Sequence, residues 1–201
     1  MQEQLSQINK NINNININPS NNQELQHGDG KYIGQVVNGM AEGKGIWYGY
    51  KGDRYEGDFR NDKKEGKGIF YWNNGDRYEG EWRNGKQEGK GIYYYNNGDK
   101  YEGDFRNDKK EGKGILYHNN GDRYEGDFRN GIIEGKGIYY YSNVPWKGDR
   151  YVGDFRNNKR EGQGIYYFNN GDRMMGDYSN NKQIGKHVTL TKYGEVKTIN
   201  Y

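Results

Sequence analysis

The chain has 201 residues and a formal net charge of +3, and aromatic residues supply 15% of it, half of the 30% that is hydrophobic. This composition excludes a conventional aliphatic core, and the near balance of acids and bases argues against a dedicated nucleic-acid binder. Because there is no cysteine, disulfides and thiolate metal sites are excluded. The N-terminus lacks a signal-peptide pattern and no apolar run approaches the ~18 residues of a membrane span, so we expect a cytoplasmic protein.

Residues 1–27 form a low-complexity tail that is rich in Asn and Gln. Its isoleucines indicate no single element, because Ile8, Ile12 and Ile15 have helical spacing whereas residues 15–18 alternate like a strand. The composition favours a disordered tail. The alternative is a segment that becomes ordered against a partner through its isoleucines.

A repeat of 23 residues occupies residues 28–186. The pattern Tyr-Xaa-Gly starts at Tyr32 and recurs every 23 residues to Tyr124; the next copy starts 27 residues later at Tyr151, and a degenerate copy starts at Met174. A fixed period indicates an architecture in which no unit buries its hydrophobic face alone. Each unit contains two short, alternating aromatic segments separated by polar clusters, which predicts two strands. We therefore predict an all-β protein, an elongated single-layer antiparallel β-meander of about seven hairpin repeats.

The turns predict how the strands are paired. An Asn-Asn-Gly loop of three residues pairs Phe70 with Tyr78, whereas an even-length loop at Asn61–Lys64 pairs Phe59 with Gly66. Opposed residues share a face, so one face carries rows of aromatic residues and glycines, with rings that can lie across the glycines. The other face carries Lys opposite Asp or Glu and Arg or Lys opposite Tyr, and we expect it to be solvated.

The repeat resembles a known family through the unit Tyr55-Glu-Gly-Asp-Phe-Arg-Asn-Asp-Lys-Lys-Glu-Gly-Lys-Gly-Ile-Phe-Tyr71. This unit is similar to the MORN (membrane occupation and recognition nexus) repeat, and the resemblance covers about residues 30–186. It implies a curved sheet with the aromatic row on its concave side. Members of the family include scaffolds of cilia and the cytoskeleton, membrane-tethering proteins and accessory modules of lipid kinases and methyltransferases, so the fold alone does not give the function.

Two departures from the repeat stand out. At the end of the array, Met174 and Met175 replace Tyr-Glu, and residues 187–201 are predicted to form a hairpin that caps the sheet. One turn is four residues longer than the others and places Trp146 in a loop. Two interpretations of Trp146 stay open: it anchors an interface, or its ring folds back on the sheet.

No catalytic chemistry is predicted. The three histidines have no metal-ligand spacing, and the recurring Glu-Gly-Lys-Gly lacks both the spacing and the helix of a phosphate-binding loop. We therefore expect no enzyme activity, no cofactor, no metal site and no small-molecule substrate.

The aromatic face predicts a structural adaptor that docks other proteins, because a long aromatic stripe exceeds what a soluble monomer normally exposes. The family resemblance implies a cytoskeletal or ciliary assembly. An alternative is that the rings only stack on one another and on glycine. The predicted partner-binding residues are Tyr55, Phe70, Tyr78, Tyr93, Tyr101, Phe105, Tyr124, Phe128, Tyr139, Tyr151 and Trp146.

A second hypothesis is a peripheral module that binds anionic phospholipid. Basic residues gather in the turns, and each can contribute about 1 kcal/mol near an acidic membrane. Acidic residues in the same turns weigh against this hypothesis, and the charges could equally meet an acidic protein. The predicted anion or lipid contacts are Arg60, Lys63, Lys64, Arg106, Lys109, Lys110, Lys159 and Arg160.

Overall fold

The structure is a computed structural model that describes residues 22–201, and it confirms the predicted all-β antiparallel meander. Neighbours in the sheet follow chain order. Within the described residues, no helix is long and apolar enough to cross a membrane. The strands are β1 Gln23–His27, β2 Gly30–Val37, β3 Met40–Gly49, β4 Arg54–Arg60, β5 Lys63–Tyr71, β6 Arg77–Arg83, β7 Lys86–Tyr94, β8 Lys100–Arg106, β9 Lys109–Tyr117, β10 Arg123–Arg129, β11 Ile132–Tyr140, β12 Arg150–Arg156, β13 Lys159–Tyr167, β14 Arg173–Ser179, β15 Lys182–Leu190 and β16 Val196–Asn200.

The described chain divides into two units, which we treat separately. Unit 1 comprises residues 22–98 and 104–109, and unit 2 comprises residues 99–103 and 110–201. Both units are built from the same hairpin, so the packing rules found in one can be checked in the other.

The loops of three residues have the predicted register. Phe70 of β5 lies opposite Tyr78 of β6, and the Trp72 amide donates to the Asp76 carbonyl at 3.0 Å. Gly75 adopts a φ of 92°, which a residue with a side chain rarely reaches. The prediction for the Asn-Asn-Gly turns is therefore confirmed.

The other turns are tighter than predicted. Asn61 and Asp62 alone form the turn, with φ values of 46° and 64°, and short Asx side chains tolerate this left-handed geometry. The predicted pairing of Phe59 with Gly66 is therefore wrong, since Phe59 lies opposite Lys64. A bulge absorbs the difference, and there Gly66 has a φ of 65°.

The core consists of tyrosine rings lying on glycines. The Tyr55 ring covers Gly57 and Gly68 so closely that neither glycine could carry a side chain without displacing it. The Tyr55 hydroxyl donates to the Asp58 carbonyl at 3.0 Å, and the ring meets that of Trp82 edge-on at 5.2 Å. The same contacts recur along both units, which confirms the prediction that rings lie across glycines.

The opposite face is charged but only partly solvated. Part of the predicted charge row forms, with Lys90 Nζ 2.6 Å from Asp104, and Arg77 stacks 4.2 Å above the Tyr94 ring. Across the tight turns the predicted alternation of sign is wrong, since Asp58 lies opposite Glu65. Between them Ile69, Glu79 and Ile92 are buried, and Glu79, which is 8% exposed, lies opposite Ile69. Burial raises the pKa of Glu79, and the nearby Arg77 opposes this effect. The expectation of a wholly solvated face was therefore wrong.

Side-chain hydrogen bonds tie each repeat to the next along both edges. The Glu65 carboxylate accepts from the Asn84 amide at 2.9 Å, one tight turn further on. At the other edge, the Asp53 carboxylate accepts from the Asn73 amide at 2.8 Å. These bonds satisfy turn amides that have no strand partner, which explains why the acids recur at these positions.

Both ends of the described chain extend the predicted array. Residues Gln23–His27, which the sequence assigned to the tail, form β1 and pair with β2. The rest of the predicted tail lies outside the described residues. The predicted C-terminal hairpin forms with Leu190 opposite Val196, but its first strand already begins at Lys182.

Candidate functional site

Most of the predicted partner-binding residues are core residues. The tyrosines are fully buried and phenylalanines pack against them, because each ring fills the space above two glycines. The Tyr124 hydroxyl already donates to the Asp127 carbonyl at 3.1 Å. The buried members of the predicted set are Tyr55, Phe70, Tyr78, Tyr101, Phe105, Tyr124, Phe128 and Tyr151.

Two other predicted partner-binding residues are half-buried and engaged within the sheet. The Tyr93 hydroxyl donates to the Asp76 carboxylate at 2.9 Å, and the Tyr139 hydroxyl donates to the Asp122 carboxylate at 3.1 Å. Burial raises the pKa of both tyrosines, and their carboxylate partners raise it further. Their rings line the aromatic face, but their hydroxyls are not free for a partner.

The predicted anion contacts divide into two groups. Because the tight turn places Lys64 opposite Phe59, its ammonium lies on the aromatic face, 4.4 Å from the centre of the Phe70 ring. Burial lowers the pKa of Lys64 and of Lys110, which lies 5.5 Å from the Tyr101 ring. Arg160 is placed in the same way. The exposed group is Arg60, Lys63, Arg106, Lys109 and Lys159.

A cavity of about 580 Å³ opens in unit 2 beside the long loop, and it includes the predicted Trp146. The aromatic side chains around it form a row. Tyr141 lies 6.5 Å from the Trp146 ring and 5.7 Å from the Tyr166 ring, which lies 4.9 Å from Phe168. Trp146 is 54% exposed, so it touches the sheet without being buried by it.

The long loop is held in a defined shape. The Tyr141 amide donates to the Asp149 carbonyl at 3.0 Å, and the Trp146 amide donates to the Asn143 carbonyl at 2.9 Å. The Asp149 carboxylate accepts from the Tyr166 hydroxyl at 2.8 Å. Burial, followed by this contact with Asp149, raises the pKa of Tyr166. The loop and the strand beneath it are therefore fixed to each other at the cavity.

The polar wall of the cavity carries positive charge. Arg160 donates to the Asn181 carbonyl at 2.7 Å, and its guanidinium lies 5.2 Å from the Tyr178 ring. Lys182 lies beside it. Gln183 donates to the Met174 sulfur at 3.5 Å. Among residues 22–201, no Asp or Glu side chain lines the cavity or forms an ion pair with either cation.

The sequence pointed to only part of this cavity. Trp146 stood out because the loop interrupts the period of 23 residues. Gln183 and Tyr166 were missed, because both occupy ordinary repeat positions. The equivalent positions in other repeats hold Lys64, Lys110 and Arg160 but also Gln87 and Ile133, so the sequence carries no signal that singles out Gln183.

The site offers binding groups and no assembled catalytic group. Residues 22–201 contain no cluster of His, Asp or Glu that could hold a metal ion. The histidines are used separately: His27 contacts the Asp62 carbonyl at 2.7 Å, and His187 contacts the Asp177 carbonyl at 2.9 Å.

Solved structures match the chain to different degrees. The TCP domain of SAS-4 (dCPAP) of Drosophila melanogaster, in complex with a proline-rich motif of Ana2 (dSTIL), is 13% identical with a TM-score of 0.53, and the match covers 90% of each chain. The TCP10c domain of Drosophila melanogaster Sas-4 is 13% identical with a TM-score of 0.49, covering 90% of this chain and 99% of that one. A virginiamycin B lyase from Staphylococcus aureus is 13% identical with a TM-score of 0.20, covering 89% and 73%. Only the first of these three matches has a TM-score above 0.5, and at 13% identity it shows a likeness of fold alone.

The repeats themselves match a family model. No curated protein is significantly similar to the chain in sequence. The MORN repeat model matches residues 32–54, 55–77, 78–100, 101–123, 124–143 and 151–173. These six matches span well over half of the chain and reproduce the period of the tyrosine-on-glycine hairpins, so the chain belongs to the MORN repeat family.

Proposed function

We propose that the protein is a non-catalytic scaffold that docks another protein at the cavity beside the long loop. The observation that carries this proposal is Trp146, which is 54% exposed on an ordered loop and borders an open, ring-lined cavity. Tryptophan is enriched among the residues that dominate protein interfaces. Elsewhere on the aromatic face, neighbouring side chains bury the repeat tyrosines, such as Tyr55 and Tyr124.

The comparisons lend support to a protein partner. The SAS-4 domain from Drosophila melanogaster is an example of a similar sheet in complex with a motif of another protein. Membership of the MORN family favours a cytoskeletal or ciliary assembly, because scaffolds of that kind occur in the family. We therefore place the proposed partner in such an assembly.

The test is partner capture by the full chain with two matched variants. Cross-linked complexes of the tagged protein are purified from its own cells, and each recovered protein is then tested for direct binding in purified form. Trp146→Ala should weaken that binding by about tenfold or more, as expected for an interface anchor. Tyr193→Ala is the control, because Tyr193 is 82% exposed in the final turn and lies outside the cavity. Equal effects of the two changes, or no effect of either, would overturn the proposed docking site.

A peripheral lipid-binding role is the second candidate function. Five of the predicted cations, including Lys63 and Lys109, are exposed at tight turns and free to face a surface. Nearby acids reduce the effect; Glu65 lies 3.9 Å from the Arg60 guanidinium. Sedimentation with phosphatidylserine vesicles tests this role. Binding that exceeds that to neutral vesicles, and that falls when Lys63 and Lys109 are both changed to Glu, would support it. Equal sedimentation with both vesicle types would refute it.

A further inference from the structure

We propose that the cavity beside the long loop binds a short, extended peptide that combines prolines with an acidic side chain. This inference rests on the docking role proposed above and names the chemistry of the partner. It is carried by three features of unit 2: a row of inclined rings, two cations that form no ion pair among the described residues, and an amide that donates to a sulfur atom.

The planes of neighbouring rings in this row are inclined to one another rather than parallel. From Trp146 to Tyr141, Tyr166 and Phe168, successive planes are inclined by 49°, 38° and 56°. Inclined rings leave shallow grooves between them, and proline-rich peptides in the polyproline II conformation dock on aromatic-lined grooves of this kind. Because proline has no amide hydrogen, a bound proline needs no hydrogen-bond acceptor from the wall of the cavity. A polyproline segment also loses little conformational freedom when it binds.

The positive charge of the cavity favours an acidic residue next to the prolines of the peptide. Arg160 is oriented by the Tyr151 and Tyr178 rings, whose centres lie 5.5 Å and 5.2 Å from the guanidinium carbon. A guanidinium has five donors, and within the described residues its hydrogen bond is to the Asn181 carbonyl. The remaining donors and the neighbouring Lys182 fit a carboxylate and repel a cationic peptide.

The amide of Gln183 supplies a further donor for the peptide. It points at the Met174 sulfur at 3.5 Å, and a thioether is a weak acceptor. Carbonyl groups of a polyproline II peptide form no internal hydrogen bonds and point outward. A peptide carbonyl can therefore replace the sulfur as the acceptor of this amide.

The experiment measures fluorescence anisotropy of three labelled octapeptides with the full-length protein. The first is Pro-Pro-Glu-Pro-Pro-Glu-Pro-Pro, the second replaces both Glu with Lys, and the third replaces every Pro with Ala. The first should bind about tenfold or more tightly than either of the others, because each lacks one of the two matched features. Comparable binding of the second or the third peptide would overturn the inference.

Variants connect the binding to the cavity. Arg160→Gln should weaken binding of the Pro-Glu peptide by about tenfold or more. The fold should tolerate this change, since the equivalent residues of two other repeats are Gln87 and Gln183. Arg156→Gln is the control, since it removes the same charge from an exposed position outside the cavity. Equal losses in the two variants would show a non-specific charge effect and refute the site.

Two further outcomes separate this inference from the proposed function. If Trp146→Ala abolishes binding of the native partner while the Pro-Glu peptide neither binds nor competes, the docking site stands and this inference is wrong. If ATP displaces the peptide at equal concentration, the cavity is a small-molecule site and the inference is also wrong. Competition between the peptide and the partner, abolished by Arg160→Gln, supports both.

Discussion

The last repeat exchanges two residues that can be tested as a pair. In the preceding repeat, the Tyr151 ring lies over Gly164 and its hydroxyl donates to the Asp154 carbonyl at 3.3 Å. In the last repeat, Met174 stands where the tyrosine would be, and His187 stands where the glycine would be. The large ring has thus moved to the neighbouring strand.

His187 makes the contacts that the tyrosine makes in other repeats. Its ring lies over Gly176 and is completely buried, and Nε2 donates to the Asp177 carbonyl at 2.9 Å. This carbonyl corresponds to the one that accepts from tyrosine in other repeats. The two exchanges therefore compensate each other, and neither should be tolerated alone.

The magnitudes follow from burial. His187→Gly removes a fully buried ring and leaves the Asp177 carbonyl unpaired, so we expect a loss of about 2–4 kcal/mol in the free energy of unfolding. Met174→Tyr forces a second ring into occupied space and should cost about 1–3 kcal/mol. The double variant restores the ordinary repeat and should be close to wild type, with a coupling energy of at least about 2 kcal/mol.

Urea unfolding followed by far-UV circular dichroism measures these free energies. Met175→Tyr combined with His187→Gly is the control pair, because Met175 is on the other face of the same strand and is 37% exposed. That pair should be additive. Additive losses for Met174→Tyr and His187→Gly as well would refute the exchange.

Two further predictions concern pH and register. Burial raises the pKa of Tyr32 to about 12, so the stability it contributes is complete below the unfolded pKa of about 10 and is lost as the pH rises through 12. Loss of the circular dichroism signal should therefore coincide with the later step of tyrosinate absorbance above pH ~10, which the buried tyrosines contribute; ionisation of buried tyrosines in an intact sheet would contradict this. Lys90 Nζ lies 2.6 Å from the Asp104 carboxylate. Lys90→Glu places two carboxylates opposite each other and should lower the free energy of unfolding by about 0.5–1 kcal/mol. Lys63→Glu, at an exposed turn, should change the free energy of unfolding little; equal losses in the two variants would contradict the register.

The repeat period and the alternation of side chains were enough to predict the sheet. Both are local properties of the sequence, and an Asn-Asn-Gly loop admits few geometries. The pairing of Phe70 with Tyr78 and the ion pair of Lys90 with Asp104 follow directly from that loop.

The tight turns were mispredicted because their length was read from one polar copy, Asn61-Asp62-Lys63-Lys64. The equivalent turns of other repeats hold Asn84-Gly85 and Asn130-Gly131, a dipeptide that favours a turn of two residues. The choice depends on the left-handed geometry of Asn61 and Asp62 and on the bulge at Gly66. The same error in register placed Lys64 at the turn edge, whereas the structure places its ammonium on the aromatic face. The sequence predicted that the tyrosine rings lie across glycines but left open whether they stay accessible to a partner, because their burial depends on rings of the neighbouring repeat such as Trp82.

The departures from the repeat come together at the cavity of unit 2. In an ordinary repeat, a tyrosine fills the space over the glycines, and in several repeats a cation covers the rings beside it, as Lys64 does. At the cavity, Met174 stands at the position of the tyrosine while His187 covers the glycine, Gln183 stands at the position of the cation, and the inserted loop adds Trp146. Each change alone is a local irregularity, but the fold brings all three to one opening. Where the side chains of a repeat bury its own aromatic rings, a partner cannot reach those rings. We therefore expect binding at the cavity, where the rings are accessible.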